Sequence, residues 1–197
     1  MTPLPGSGGA PRRRLVALAG FMGSGKTTAG SLLARRLGWH FVDLDSLIEE
    51  AAGLRVTEIF ERRGEPVFRE IEREQLEAAL GRAIAHQEPT VLALGGGTVA
   101  QPGNMDLLRE SGAAIVWLDC PLERLIARCA LVITRPLFRD AAGFRALYEQ
   151  RLPYYQQAEY RVASADEPRQ TVEQILALDI FGPALRDRDL TVRDSAT

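Results

Sequence analysis

Gly20-Phe21-Met22-Gly23-Ser24-Gly25-Lys26-Thr27 places glycines, one lysine and one threonine hydroxyl at the spacing GxxxxGK[ST]. That combination suits phosphate binding. Glycines let consecutive backbone N–H groups face one anion, the ammonium reaches the β- and γ-phosphates, and the hydroxyl is an oxygen ligand for Mg²⁺. Lys26 is the only lysine in the 197-residue chain, which otherwise uses arginine for its permanent cations. An ammonium is a compact point charge that fits between phosphate groups wrapped by backbone, whereas a guanidinium is a wide planar fork. Gly23 and Gly25 allow close approach and backbone angles that a side chain would block. These residues point to a nucleoside triphosphate site served by Mg²⁺.

Further clusters have the right types for chemistry on a phosphate acceptor. Asp43 and Asp45 are two acids one residue apart. Phosphoryl transfer needs charge neutralisation at the γ-phosphate and a group that orients the attacking hydroxyl and takes its proton. One of these acids suits the metal and the other the hydroxyl, or Asp45 serves only as a helix cap. Arg69 and Glu72 stand three apart on a helical pattern, either as a surface pair worth little or as a carboxylate clamp with the acid that steadies it. Gly95-Gly96-Gly97 closes an apolar run. Three successive glycines carry a conformational cost that a simple turn does not require, and their N–H groups suit the lining of a small-molecule pocket.

The elements that must position these groups follow from apolar patterning. Leu15–Ala19, Phe41–Asp43, Thr90–Leu94, Ala114–Leu118 and Tyr160–Val162 read as short strands. Helical spacing or start signals occur between them: Thr27 to Leu37, a short helix from Asp45 through Glu50, and one capped by Thr57 that ends near Gly64. A long helix then starts at Pro66 with Phe68, Ile71, Leu76 and Leu80 inward, another follows Pro121, and a last one runs from Pro168 to about Leu178. This alternation predicts a parallel α/β sheet covered on both faces, with ligands at the carboxyl ends of its strands. The phosphate loop, Asp43, Asp45 and the glycine run all fall at such ends.

Composition sets bounds on the remainder. The length suits one domain, 13–180, with a lead-in over 1–12 and a charged tail over 181–197. A formal charge of −2, with arginines dispersed among acids, gives no reason to expect a nucleic-acid partner. Met1–Ala10 is neither a signal peptide nor an anchor, and no apolar run is long enough to span a membrane. Cys120 and Cys129 have no metal-ligand spacing, and His40 and His86 lie far apart. The expectation is a cytoplasmic monomer with reduced thiols.

The segments GFMGSGKTTAG, FVDLDSLIEE, EIFERRGEPVFREIE, VLALGGGTV, TRPLF and RLPYYQQA, in this order, resemble the shikimate kinases. The likeness spans about Leu15 to Leu178. It implies the P-loop NTPase fold of the nucleoside monophosphate kinases, a five-stranded parallel sheet with helices on both faces and a mobile lid, here about 128–139. The implied activity is transfer of the γ-phosphate of ATP to the 3-hydroxyl of shikimate, on the route to chorismate and aromatic amino acids.

Carried over residue by residue, the resemblance gives Gly23, Ser24, Gly25, Lys26, Thr27 and Thr28 to the ATP phosphates. It puts Thr27 on Mg²⁺, with Asp43 in the metal's outer shell. Asp45 would bind shikimate hydroxyls and act on the attacking one. Arg69 and Arg151 would hold the shikimate carboxylate, with Gly95, Gly96 and Gly97 lining that site and Gly96 offering its backbone to the ring hydroxyls. Arg135 would close with the lid onto the transferring phosphate, and Arg128 would lie against the adenine. Two departures stand out. The stretch Cys129–Thr134 before Arg135 is apolar where the family's lid is polar, and Asp166 and Glu167 before Pro168 suggest no basic contact on the adenine side. Gluconate and nucleoside monophosphate kinases share the phosphate loop without the combination of Asp45, Arg69, the glycine run and Arg151. A binding domain without turnover fits less well with Lys26, Thr27, Asp43, Asp45 and Arg135 all present.

Overall fold

β1 (Leu15–Ala19) is buried at every position, and its alternate residues enter two different cores. Leu15, Ala17 and Ala19 pack into one, while Val16 and Leu18 pack into the other. A strand whose side chains point to opposite faces can be apolar throughout only if both faces are covered, as parallel sheets require. The computed structural model describes residues 13–130 and 141–181, and within them the sheet has five strands in the order β2-β3-β1-β4-β5. These are β2 (His40–Asp43), β3 (Thr90–Ala93), β4 (Ala114–Asp119) and β5 (Tyr160–Ala163), all parallel.

The expected fold class is therefore the observed one. Val16 pairs with Val91 on one side of β1 and with Ala114 on the other. The connection after β1 crosses β3 to reach β2, and the one after β3 crosses β1 to reach β4, so the carboxyl ends of this central pair mark where strand order reverses, the place where open α/β sheets bind ligands.

One face carries α1 (Lys26–Leu37) and α7 (Pro168–Leu176), where Leu33, Val172 and Ile175 meet Val91, Val116 and Val162. The other carries α2 (Leu44–Ala52), α3 (Val56–His86) and α6 (Ala141–Tyr155), where Ile48, Leu76, Phe144 and Tyr155 meet Leu92, Ile115 and Trp117. α4 (Asn104–Glu110) and α5 (Leu122–Ala130) complete the set. The core reaches Phe181, which packs edge-on against Trp39 at 5.6 Å.

Two local details differ from the sequence expectations. β2 runs straight into α2, so the helix is capped by Asp43, whose Oδ1 accepts from the Asp45 and Ser46 N–H groups, and Asp45 lies inside the first turn. The helix expected from Thr57 starts at Val56, with Glu58 accepting from the Arg55 N–H. It continues past Gly64, where φ 80° and ψ 169° break the helical path. Only glycine enters that region readily, and Pro66 is then well placed in the first turn of the redirected half. This break turns the Phe68–Glu72 segment toward the carboxyl ends of the strands.

Candidate active site

The phosphate loop leaves β1 and enters α1 through Gly25, whose φ of 90° serves as the helix N-cap. No acid stands in the first turn of α1, while Arg35 and Arg36 occupy the last, so charge and helix dipole agree on an anion at the N-terminus. The loop's carbonyls from Gly20 to Ser24 are all occupied. Lys26 Nζ donates to Gly20 O at 2.8 Å and Phe21 O at 3.0 Å. The Cys129 thiol reaches Met22 O at 3.7 Å, Arg128 Nη1 donates to Gly23 O at 3.1 Å, and Ser164 Oγ donates to Ser24 O at 2.8 Å. In a trans peptide the following N–H is opposite its carbonyl. Holding the Met22 and Ser24 carbonyls against these side chains therefore turns the Gly23 and Gly25 N–H groups to the other side, as an anion nest needs, while the Ser24 N–H is spent on Phe21 O at 3.1 Å.

At the end of β2, Asp43 has two tasks. Oδ1 caps α2, and Oδ2 accepts from Thr27 Oγ1 at 2.7 Å. Two oxygen ligands beside the phosphate loop fit Mg²⁺, which favours oxygen and leaves most of its sphere to water and phosphate. Among the described residues no group of three or more His, Cys, Asp or Glu makes a metal cage.

The glycine run lies between the two acids and two arginines, and each glycine is required by a different neighbour. A Cβ on Gly95 would stand 2.9 Å from Asp45 Oδ1 and 3.0 Å from Glu72 Oε1. One on Gly96 would meet the Met22 backbone N at 3.1 Å, and one on Gly97 would meet Arg69 Nη2 at 2.8 Å and Arg151 Nη2 at 3.1 Å. None of the three has a positive φ, so close approach, not backbone freedom, demands glycine here. Gly96 O accepts from Arg151 Nη1 at 3.2 Å and from the Tyr155 phenol.

Arg69 donates to Glu72 Oε2 at 2.7 Å and to Glu65 Oε1 through Nη2 at 2.8 Å. Glu72 is buried, and its other oxygen accepts from Thr98 Oγ1 at 2.6 Å. Burial works to lower the Arg69 pKa, but the two carboxylates outweigh it and hold the guanidinium above its ordinary value. Arg151 is different. Only 6 % exposed, it has no carboxylate within ion-pair distance among the described residues. Burial pulls its pKa down, Tyr155 opposes this and Arg69 adds to it. A buried cation lacking a counter-ion is costly unless an anion arrives.

These groups line a cavity of about 360 Å³ that includes Met22, Asp45, Phe60, Arg69, Gly97 and Arg151. A second, of about 380 Å³, is lined by Gly23, Ser24, Gly25, Thr28, Arg128 and Pro168 among others. Thr27 lines both, so the two cavities meet at the phosphate loop.

A family model for shikimate kinase matches residues 22–179. The chain belongs to the shikimate kinase family. It is 43 % identical over 161 residues to a shikimate kinase of a Sulfurihydrogenibium species, covering 81 % of this chain and 93 % of that one. The solved shikimate kinase from Aquifex aeolicus superposes with a TM-score of 0.72 at 33 % identity, covering 82 % of this chain and 93 % of its own. The Acinetobacter baumannii shikimate kinase, solved in complex with shikimate, gives 0.72 at 32 %, covering 82 % and 89 %.

Against this shikimate kinase frame, the structure brings Asp43, Asp45, Arg69, Arg151 and Gly95–Gly97 around one cavity, with Thr27 at its edge. Gly23, Ser24, Gly25, Thr28 and Arg128 surround the other, and Lys26 lies in the loop beside both. Arg135 and most of the expected lid, 131–139, lie outside the described residues. The expectation of no basic contact near Pro168 is overturned: Asp166 Oδ1 pairs with Arg124 Nε at 3.2 Å and Arg128 Nη2 at 3.3 Å. Tyr155, Thr98 and Ser164 went unremarked as site residues. Their only sequence signal is a hydroxyl at the end of a half-exposed helix or near a strand end, which is too common to single them out. Among the described residues, no helix is long and apolar enough to cross a membrane.

Proposed function

We propose that this shikimate kinase family member transfers the γ-phosphate of ATP to the 3-hydroxyl of shikimate, in the cytoplasm and as a monomer. The observation that carries the reading is Arg151, a buried guanidinium without a carboxylate partner among the described residues, facing Arg69 across Gly97 in a cavity that also holds Asp45. Two arginine forks beside one wall suit a planar carboxylate, and an aspartate with glycine backbone suits a polyol.

The ATP phosphates lie in the loop Gly23–Thr28, with Lys26 moving from its two carbonyl acceptors to the β- and γ-phosphates. Thr27 would hold Mg²⁺, with Asp43 in its outer shell, and the ion would supply charge neutralisation at the phosphates. Arg69 and Arg151 take the acceptor's carboxylate and thereby fix the ring, so that its hydroxyls fall toward Asp45 and the shared edge at Thr27. Asp45 orients the attacking hydroxyl and receives its proton as the new oxygen–phosphorus bond forms. The bond from the γ-phosphorus to the β-bridging oxygen breaks, and ADP leaves. Arg135 carries the remaining role, charge on the transferring group.

ADP release from ATP and Mg²⁺ is the test, with shikimate compared against gluconate and nucleoside monophosphates. Turnover is expected with shikimate alone. Equal or faster turnover with another acceptor, or none with shikimate, rejects the reading.

A further inference from the structure

We propose that Tyr155 is a positioning residue for the acceptor: its phenol, bonded to the Gly96 carbonyl, aims the glycine run and Arg151 into the acceptor cavity. The inference rests on the acceptor site proposed above and adds a residue that touches neither the acceptor nor ATP. Tyr155 lies one turn after Arg151 on α6 and is 1 % exposed. Its ring stacks on Trp117 of β4, with centroids 6.2 Å apart and planes at 18°, and stands edge-on to Phe21 of the phosphate loop at 6.5 Å. Sheet and loop thus grip the ring from two sides, which leaves the hydroxyl little latitude.

That hydroxyl donates to Gly96 O, the oxygen that also accepts Arg151 Nη1 at 3.2 Å. A carbonyl oxygen has two lone pairs, so the two donors fill it. The consequence for the site follows from peptide geometry. With Gly96 C=O pinned toward Tyr155, the Gly97 N–H must point the opposite way. Among the described residues, neither the Gly96 nor the Gly97 N–H donates to a protein acceptor. A run of three glycines has no side chains to hold its peptide planes and is entropically costly to order. Its outer carbonyls are tied to the turn that follows, through Thr98 N to Gly95 O at 3.3 Å and Ala100 N to Gly97 O at 3.0 Å. Among the described residues the middle one is tied only by Tyr155 and Arg151. Without the phenol, Arg151 becomes the sole donor to Gly96 O and is drawn to that duty and away from the acceptor's carboxylate. Burial holds the Tyr155 pKa well above its ordinary value, so the phenol remains a donor through the working pH range.

The test is Tyr155→Phe, which keeps the ring and removes one oxygen. The KM for shikimate is expected to rise about tenfold, with the KM for ATP within twofold of wild type and kcat little changed. A purely structural role would lower the melting temperature and the active fraction, and so kcat, without moving one KM alone. A shikimate KM within twofold of wild type, or both KM values rising together, overturns the inference. If Tyr155→Phe yields no folded protein, fluorotyrosines installed at 155 carry the test, since they keep the ring and make the phenol a stronger donor. The shikimate KM should then fall as phenol acidity rises, and a KM indifferent to it overturns the inference. Wild-type chain that binds no shikimate removes the acceptor reading itself. Normal wild-type turnover with an indifferent Tyr155 series removes only this step.

Discussion

Gly97→Ala isolates the carboxylate clamp from the rest of the site. The added methyl would stand 2.8 and 3.0 Å from Arg69 Nη2 and Nη1 and 3.1 Å from Arg151 Nη2, where ordinary contact begins at 3.4 Å. Each guanidinium must retreat by about 0.3 to 0.6 Å. Long side chains often give way at little cost, but these two are tethered, Arg69 by Glu65 and Glu72 and Arg151 by Gly96 O. The retreat therefore falls on the bonds to the acceptor. Charge-assisted hydrogen bonds contribute about 1.5–3 kcal/mol each, and weakening one from each arginine costs about 2 kcal/mol in total. That is about a 30-fold rise in the KM for shikimate.

The backbone itself has little to object to. Gly97 has φ −117° and ψ −5°, a conformation alanine adopts, so the melting temperature should move by less than about 4 °C. Steady-state ADP release, titrated with each substrate in turn, reads the effect, and the KM for ATP should stay within twofold. A folded Gly97→Ala enzyme with a shikimate KM within threefold of wild type would refute the reasoning. Gly96→Ala supplies the contrast. Its methyl meets the Met22 backbone at 3.1 Å, so the strain enters the phosphate loop and the KM for ATP rises as well.

Asp45→Asn should cut kcat by about 10²-fold or more while leaving ATP affinity, read by calorimetry, within threefold; near-normal turnover would remove Asp45 from the chemistry. Glu72→Ala strips a buried acid that serves both Arg69 and Thr98. Breaking such a pair costs about 3 kcal/mol, hence a loss of about 6–12 °C in thermal unfolding, and a shift under 2 °C would contradict the burial argument. Lys26, the single lysine, permits a chemical test with an amine-directed label read by peptide mass. ATP should slow modification of Nζ severalfold and shikimate alone should not, whereas labelling indifferent to ATP would mean that the lysine does not serve the phosphates.

Much of this site was legible because its parts are local. The phosphate loop, the acids after β2 and the glycine run are contiguous in sequence, and the apolar runs that became β1, β3 and β4 place them at carboxyl ends. What patterning missed is mostly long-range. Arg128 and Cys129 reach loop carbonyls more than a hundred residues earlier, and Ser164 reaches one 140 residues away. The Asp166 pairing was hidden in the same way, since its arginines sit on α5, in a different part of the chain. The cap of α2 failed for another reason. With no loop between β2 and α2, two aspartates compete for one cap, and the choice turns on a single residue of register that β propensity and helix patterning do not resolve. α4 has only seven residues, too few for a helical period to stand out.

The division between one lysine and several arginines follows from how many directions each cation must serve. Lys26 Nζ occupies a point inside a tight loop, where a Cβ on Gly20 would already stand 2.7 Å from Ser24 Oγ and 2.9 Å from Leu118 O. A planar guanidinium needs width that such a turn does not provide. Arg69 faces the opposite demand. It uses Nε and Nη2 on Glu65 and Nη1 on Glu72, and a guanidinium with five N–H donors still has two to offer an acceptor. An ammonium engaged with both carboxylates would have at most one donor left, with no plane to match a third. Arg151 likewise holds Gly96 O with one donor while presenting others beside Gly97. Exchanging the two cation types at any of these positions therefore removes function without changing charge. This is the sense in which a chain that otherwise writes arginine keeps lysine at one place.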